Sequence, residues 1–177
     1  MSECIIDLTG TKRWLVNGIL HRDDEPAVEY SDGKKEWYID GFYHRDDGPA
    51  VEWVDGYKEW YQNGNLHRVD GPAVERSNGH KAWYLNGSRH REDGPAIEWG
   101  DGDNSWYYNG LLHRKDGPAI VQNDGTKKWF LNDKLHREAG PAIEWYDGEK
   151  WWYLNDKKYS KEEFILLQFS RGIIINE

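Results

Sequence analysis

Six His-Arg pairs recur at intervals of 23 residues: His21-Arg22, His44-Arg45, His67-Arg68, His90-Arg91, His113-Arg114 and His136-Arg137. A histidine held in register could ligate a metal or trade protons, and the arginine beside it could clamp a carboxylate or phosphate. Spacing argues against the metal. With two strands per repeat at about 4.8 Å each, equivalent histidines lie roughly 10 Å apart, too far to share a tetrahedral ion whose ligands sit about 2 Å away. If the chain instead coiled as a solenoid, the histidines would stack at about 5 Å and could bridge metals, with the adjacent arginines opposing any cation. The reading favoured is structural: His bonds a backbone carbonyl or an Asp, and Arg bonds a nearby Asp or Glu, as Arg68 could with Asp70 or Glu75. No metal and no cofactor is expected.

Catalysis has little to stand on. An active site needs an asymmetric set of nucleophile, base and charge stabiliser, whereas a periodic chain offers the same group six times. Cys4 is isolated and no phosphate loop is present. No residue is assigned a catalytic role, and the chain is read as a non-enzyme; the remaining enzymatic reading pairs the His and Asp of one repeat as acid and base.

The elements that position these pairs are set by a larger cassette. Trp14, Trp37, Trp60, Trp83, Trp106, Trp129 and Trp152 recur at the same interval without insertion or deletion. An aromatic follows each Trp except the first, Asn or Asp stands at plus three, and Asp-Gly-Pro-Ala closes the four inner copies, as at Asp70 to Ala73. Glu25 replaces the Gly in the first copy and Ala139 replaces the Asp in the last, as expected of terminal repeats that act as caps. Segments such as Lys58 to Gln62 alternate polar and apolar residues, the pattern of half-buried strands. They are separated by Asn-Gly and Asp-Gly pairs, read as type I′ hairpin turns. The fold expected is an all-β repeat, a meander of antiparallel hairpins with the Asp-Gly-Pro bend as a bulge; the alternative is a β-solenoid. Tight Asn-Gly turns reverse a chain and favour the meander.

At 177 residues, with seven Trp in one register, the chain reads as a repeat array over residues 1–159 and a C-terminal segment over 160–177. Eleven Trp and eleven Tyr supply the buriable surface, so an aromatic core is expected. The formal charge of −9 argues against nucleic acid as a partner and against an anionic membrane surface. One Cys and no apolar leader point to a cytoplasmic location. A homo-oligomer is compatible with the sequence.

The Asn-Gly-x-x-His segment, a Gly-containing bend, an Asp-Gly turn and an aromatic strand, repeated at 23, resemble MORN (membrane occupation and recognition nexus) repeats, and more closely the MORN-like variants of bacterial, phage and giant-virus proteins. The resemblance covers nearly the whole array. It implies an elongated, twisted sheet of consecutive hairpins. The chain departs from the family's pattern in three places: Arg follows the His where Gly is common, Asp-Gly-Pro-Ala replaces a looser Gly pair, and the step from Asp-Gly to Asn-Gly is shorter.

Beyond the array, Ser160 and Glu163 form a capping-box pattern, so a helix is expected over about Lys161 to Phe169. Phe164, Ile165, Leu166 and Leu167 would give it a broad apolar side that covers the last hairpin's open edge, with Gly172 ending it. Ile173-Ile174-Ile175 reads either as a final edge strand or as a self-association surface. If the recurring cassette is scaffold, function belongs to positions that vary between repeats. One such column is Tyr30, Trp53, Arg76, Trp99, Gln122 and Trp145; another is Lys34, Tyr57, His80, Asp103, Thr126 and Glu149. Candidate binding residues are therefore Arg76, His80, Lys81, Arg89, His90 and Arg91, with Trp53 and Trp99. The leading expectation is a scaffold that binds a protein partner, an inhibitor or adaptor acting on a host protein; the alternative is capture of a small anionic ligand such as a nucleotide by the basic and aromatic cluster.

Overall fold

The computed structural model describes residues 3–173. Contacts divide the chain into two compact halves, Met1–Ser88 and Arg89–Glu177. Each is an antiparallel meander. In the N-terminal half the hydrogen-bonded order is Glu3–Ile6, Lys12–Val16, Val28–Glu29, Lys35–Glu36, Val51–Glu52, Lys58–Glu59, Val74–Glu75 and Lys81–Ala82. The C-terminal half continues the same scheme from Ile97–Glu98 to the final hairpin, Lys150–Leu154 with Lys157–Tyr159. Consecutive strands pair with their sequence neighbours, which excludes the solenoid.

Each inner repeat holds two hairpins. One is closed by the Asp-Gly turn, the other by Asn-Gly, as in Tyr61–Gln62 with Asn65–Leu66. The two turns differ in kind. At the Asn-Gly turn both central residues have positive φ, Asn63 at 48° and Gly64 at 77°, as a type I′ turn requires. At the Asp-Gly turn only the glycine does, Gly56 at 89°. There Gly56 N–H bonds the Trp53 carbonyl at 3.1 Å and Trp53 N–H bonds the Tyr57 carbonyl at 2.9 Å, a three-residue loop with a glycine bulge. The I′ reading of the Asp-Gly turns is thus corrected. Asp55 has a different task, its carboxylate accepting from Tyr57 N–H at 3.0 Å.

The tryptophan marks where pairing changes. Trp37 N–H bonds the Ala50 carbonyl at 2.8 Å, while the Trp37 carbonyl accepts from His44 N–H at 3.1 Å. Arg45 to Pro49 are therefore looped out opposite a single residue, the bulge expected at the Asp-Gly-Pro bend, and proline suits a place with no ladder bond to donate.

The core is less aromatic than composition suggests. Its completely buried members are Phe164 and the alanines that end the bend, Ala27, Ala50, Ala73, Ala96, Ala119 and Ala142, each but Ala119 followed on the chain by a buried Val28, Val51, Val74, Ile97 or Ile143. Of the seven register tryptophans only Trp37 is buried; the others are half-buried beneath their bends.

The helix Lys161–Ser170 forms as the capping box predicts, with Glu163 N–H on Ser160 Oγ at 3.1 Å and Ser160 N–H on the Glu163 carboxylate at 2.9 Å. It ends in a Schellman arrangement: Ile173 N–H bonds the Gln168 carbonyl, Gly172 N–H bonds that of Phe169, and Gly172 has φ 73°. Its buried face is narrow, Phe164 and Gln168 only, set against the final hairpin. Ile165, Leu166 and Phe169 are exposed, contrary to the broad apolar side expected. The anchor is polar, Gln168 Nε2 donating to the Glu138 carbonyl at 2.6 Å. Ile174 and Ile175 of the tail lie outside the described residues.

Candidate functional site

The His-Arg pairs are absorbed by the scaffold, each half showing how. His44 Nδ1 lies 3.1 Å from Asn63 Oδ1 and accepts from Asn63 N–H at 3.2 Å, so the histidine of one repeat grips the Asn-Gly turn of the next. His90 and Asn109 repeat this in the C-terminal half, at 2.8 Å. His21 meets a carboxylate instead. Its two ring nitrogens face Asp40 at 2.9 Å and Asp23 at 3.1 Å, and hydrogen bonds to Asp23 and then Asp40 raise its pKa above the ordinary histidine value. A raised folded pKa contributes stability that is complete below the unfolded value of about 6.5 and lost as pH climbs through the folded one. Asp40→Asn should therefore lower the His21 pKa in an NMR titration and cost more stability near about pH 5 than near about pH 8. An unchanged His21 titration would refute this.

The arginine is sandwiched. The Arg68 guanidinium lies 4.1 Å from the Trp60 ring centroid, and on its other side a Cβ placed on Gly71 would come within 2.9 Å of Arg68 Cζ. That closeness, rather than an unusual φ, explains the glycine of the Asp-Gly-Pro-Ala bend. Nη1 donates to the Pro72 carbonyl at 3.2 Å and to Glu75 at 3.0 Å, and Nε donates to Asp70 at 3.1 Å, so both partners considered from sequence are used at once. Arg45 and Arg91 do the same with Asp47 and Glu52, and with Asp93 and Glu98. In the first repeat, where Glu25 stands in the glycine's place, Arg22 pairs with Glu25.

The candidate binding residues fall into both halves, Trp53, Arg76, His80 and Lys81 in the first, Arg89, His90, Arg91 and Trp99 in the second. In the first half the two variable columns join into one row along the Asp-Gly turns. Lys34 Nζ sits 5.0 Å from the Tyr30 ring and 4.4 Å from that of Trp53; Trp53 stacks on Tyr57 at 4.2 Å; Arg76 lies 5.3 Å from the Tyr57 ring. His80 is buried behind this row, and Lys81 is exposed opposite Glu75. In the second half Trp99 is exposed and Arg89 lies 5.1 Å from the Tyr107 ring. His90 and Arg91 make the scaffold contacts of their counterparts.

One cluster was missed from sequence. Glu36 is only 2% exposed, yet Tyr30, Tyr38 and Tyr43 all donate their hydroxyls to it, at 3.2, 3.1 and 3.2 Å, and Lys34 Nζ lies 2.7 Å away. Burial and the carboxylate push Tyr30 up to about 12 and raise Tyr38 and Tyr43 as well, burial being the larger cause in each. The carboxylate is met by three hydroxyls and one ammonium. Its signal in sequence was the acid at a position that reads Glu36, Glu59, Ala82, Ser105, Lys128 and Trp151.

Between successive bends lie open clefts floored by tryptophan. One of about 320 Å³ runs between the bends at Arg45 and Arg68 over Trp60. Others of about 600 and 740 Å³ lie in the second half over Trp106 and Trp129. Among the described residues no group of three or more His, Cys, Asp or Glu could hold a metal ion, and no helix is long and apolar enough to cross a membrane. No family model matches the chain, and no curated protein matches it significantly.

Proposed function

We propose that the protein is a non-enzymatic MORN-like repeat scaffold that binds a protein partner along the edge formed by its Asp-Gly turns. The observation that carries this reading is the row Tyr30, Lys34, Trp53, Tyr57 and Arg76. Its members come from the columns that vary between repeats, and they are stacked into a continuous aromatic and cationic strip. Large aromatics and arginine are the residues enriched where binding energy concentrates. The recurring His and Arg spend their donors on the scaffold, and within the strip Tyr30 and Lys34 are anchored on Glu36, so the members offered to a partner are Trp53 and the exposed Arg76. The likeness to bacterial, phage and giant-virus repeats suggests a host protein as the partner, with the chain acting as inhibitor or adaptor. The alternative, capture of a nucleotide by the central basic cluster, has less support, because His90 and Arg91 are engaged in scaffold contacts.

Affinity capture on immobilised wild-type protein and on Trp53→Ser/Arg76→Glu tests the reading. A protein retained by the first and lost from the second, and cross-linked to the Asp-Gly turns, is the expected result. Identical capture by both, or none under several conditions, overturns it.

A further inference from the structure

The repeat supplies its own control, and the fifth and sixth copies depart from it together. Every ladder arginine from Arg22 to Arg91, and Arg137, pairs with at least one carboxylate. Arg114 is the exception: among the described residues it makes no ion pair, its side chain donating to the Pro118 carbonyl at 3.2 Å while lying 4.0 Å from the Trp106 ring. Asp116 stands where Asp47, Asp70 and Asp93 bond their arginines but makes no ion pair with Arg114, and the second partner is missing from the chain altogether. Seven residues after the arginine the other repeats carry Glu29, Glu52, Glu75, Glu98 and Glu144; here the residue is Val121. Arg137 has lost its other partner. Ala139 stands where Asp47, Asp70 and Asp93 receive Nε–H, so Arg137 keeps Glu144 through Nη1, and its Nε–H, bonded to Asp in those repeats, has no hydrogen-bond partner among the described residues. Third, the residue after the pair, an acid in most repeats, is Lys115.

Both affected arginines, with Lys115 and Ala139, line one cleft, the space of about 740 Å³ between the bends at Arg114 and Arg137, with Trp129 and Leu131 on its walls. Three cations, Arg114, Lys115 and Arg137, face two carboxylates, Asp116 and Glu138. In the cleft over Trp60 the balance is reversed, Arg45 and Arg68 against Asp46, Asp47 and Asp70. A guanidinium that lacks its carboxylate is a fork-shaped donor set matched to another oxyanion. The volume falls in the range of about 300–1,000 Å³ common to small-molecule sites.

We propose that this cleft binds a small soluble oxyanion, a phosphate monoester or a carboxylate, with its apolar body against Trp129 and Leu131 and its anionic group between Arg114 and Arg137. The site is separate from the Asp-Gly turn strip and does not depend on it.

Calorimetry with ribose 5-phosphate, adenosine monophosphate and succinate tests the proposal on the full chain. Val121→Glu/Ala139→Asp writes into these repeats the carboxylates their neighbours already have, so it should fold as the wild type does, checked by its melting temperature. Binding of at least one probe to the wild type, weakened at least about tenfold in the double variant, is expected. Preference for the phosphates or for succinate identifies the anion. Lys115→Glu, at an exposed position, should weaken the same probe. Absence of binding to the wild type by all three probes, or affinities in both variants within about twofold of it, overturns the proposal.

Discussion

Trp37→Ala is expected to remove about 3–5 kcal/mol of stability, a large share of the roughly 5–15 kcal/mol that holds a domain folded. Trp37 is the one buried register tryptophan, 6% exposed. It carries the Arg45 guanidinium 4.0 Å above its ring, and its backbone is the point at which pairing switches from one neighbour to the other. Truncation would leave a cavity beneath the bulge and drop the guanidinium off its platform. Trp37→Phe should cost much less, about 1 kcal/mol, because a ring remains under the arginine and because Trp37 Nε1 is buried without a hydrogen-bond partner, so its removal forfeits nothing. Urea unfolding followed by circular dichroism measures both. An alanine variant as stable as the phenylalanine one would show that the sandwich is ornamental.

Glu36→Ala should cost a similar amount, about 3–5 kcal/mol, for a different reason. The carboxylate accepts from three tyrosine hydroxyls and pairs with Lys34, and removing it strands all four in a half-buried setting. Glu36→Gln keeps an acceptor oxygen and should lose about 1–2 kcal/mol. The tyrosines supply a second readout. Loss of the negative charge removes one of the causes that raise Tyr30, so its phenol should ionise at lower pH in a spectrophotometric titration of the alanine variant than in the wild type, where it is held up to about 12. Since burial is the larger cause, the phenol should stay above the usual value of about 10. Wild-type stability in Glu36→Ala would mean that the hydroxyls find other partners.

What the sequence makes legible here is local. Asn63-Gly64 reports its own turn, because positive φ at both residues is a property of the dipeptide. Ser160 and Glu163 report the helix start for the same reason. The Asp-Gly turns were misread because loop length, not the dipeptide, separates a two-residue from a three-residue hairpin, and that length depends on how Trp53 and Tyr57 pair. The Glu36 cluster depends on three tyrosines at sequence separations of six, two and seven, two of them in columns that vary, so no single spacing announces it. The basic cleft was visible only once the register of the arginine was known. The change of Glu to Val121 carries no meaning until the other repeats show that an arginine reaches seven residues ahead. Arg76 and His80 stand in the variable columns, but Lys81, Arg89, His90 and Arg91 join them by charge, and charge does not distinguish a donor in use from one on offer.

The looped-out bend has a consequence for how such a chain can change. Its arginine, proline and alanine recur in every copy, but the residue straight after the His-Arg pair does not: it reads Asp23, Asp46, Val69, Glu92, Lys115 and Glu138, bonding its own repeat's histidine at Asp23 and Asp46. All but Asp23 stand at the lip of a tryptophan-floored groove. Those five letters can be rewritten one at a time, changing what each groove attracts while the frame that presents it stays as it was, and a lineage could exchange ligands without first risking its fold.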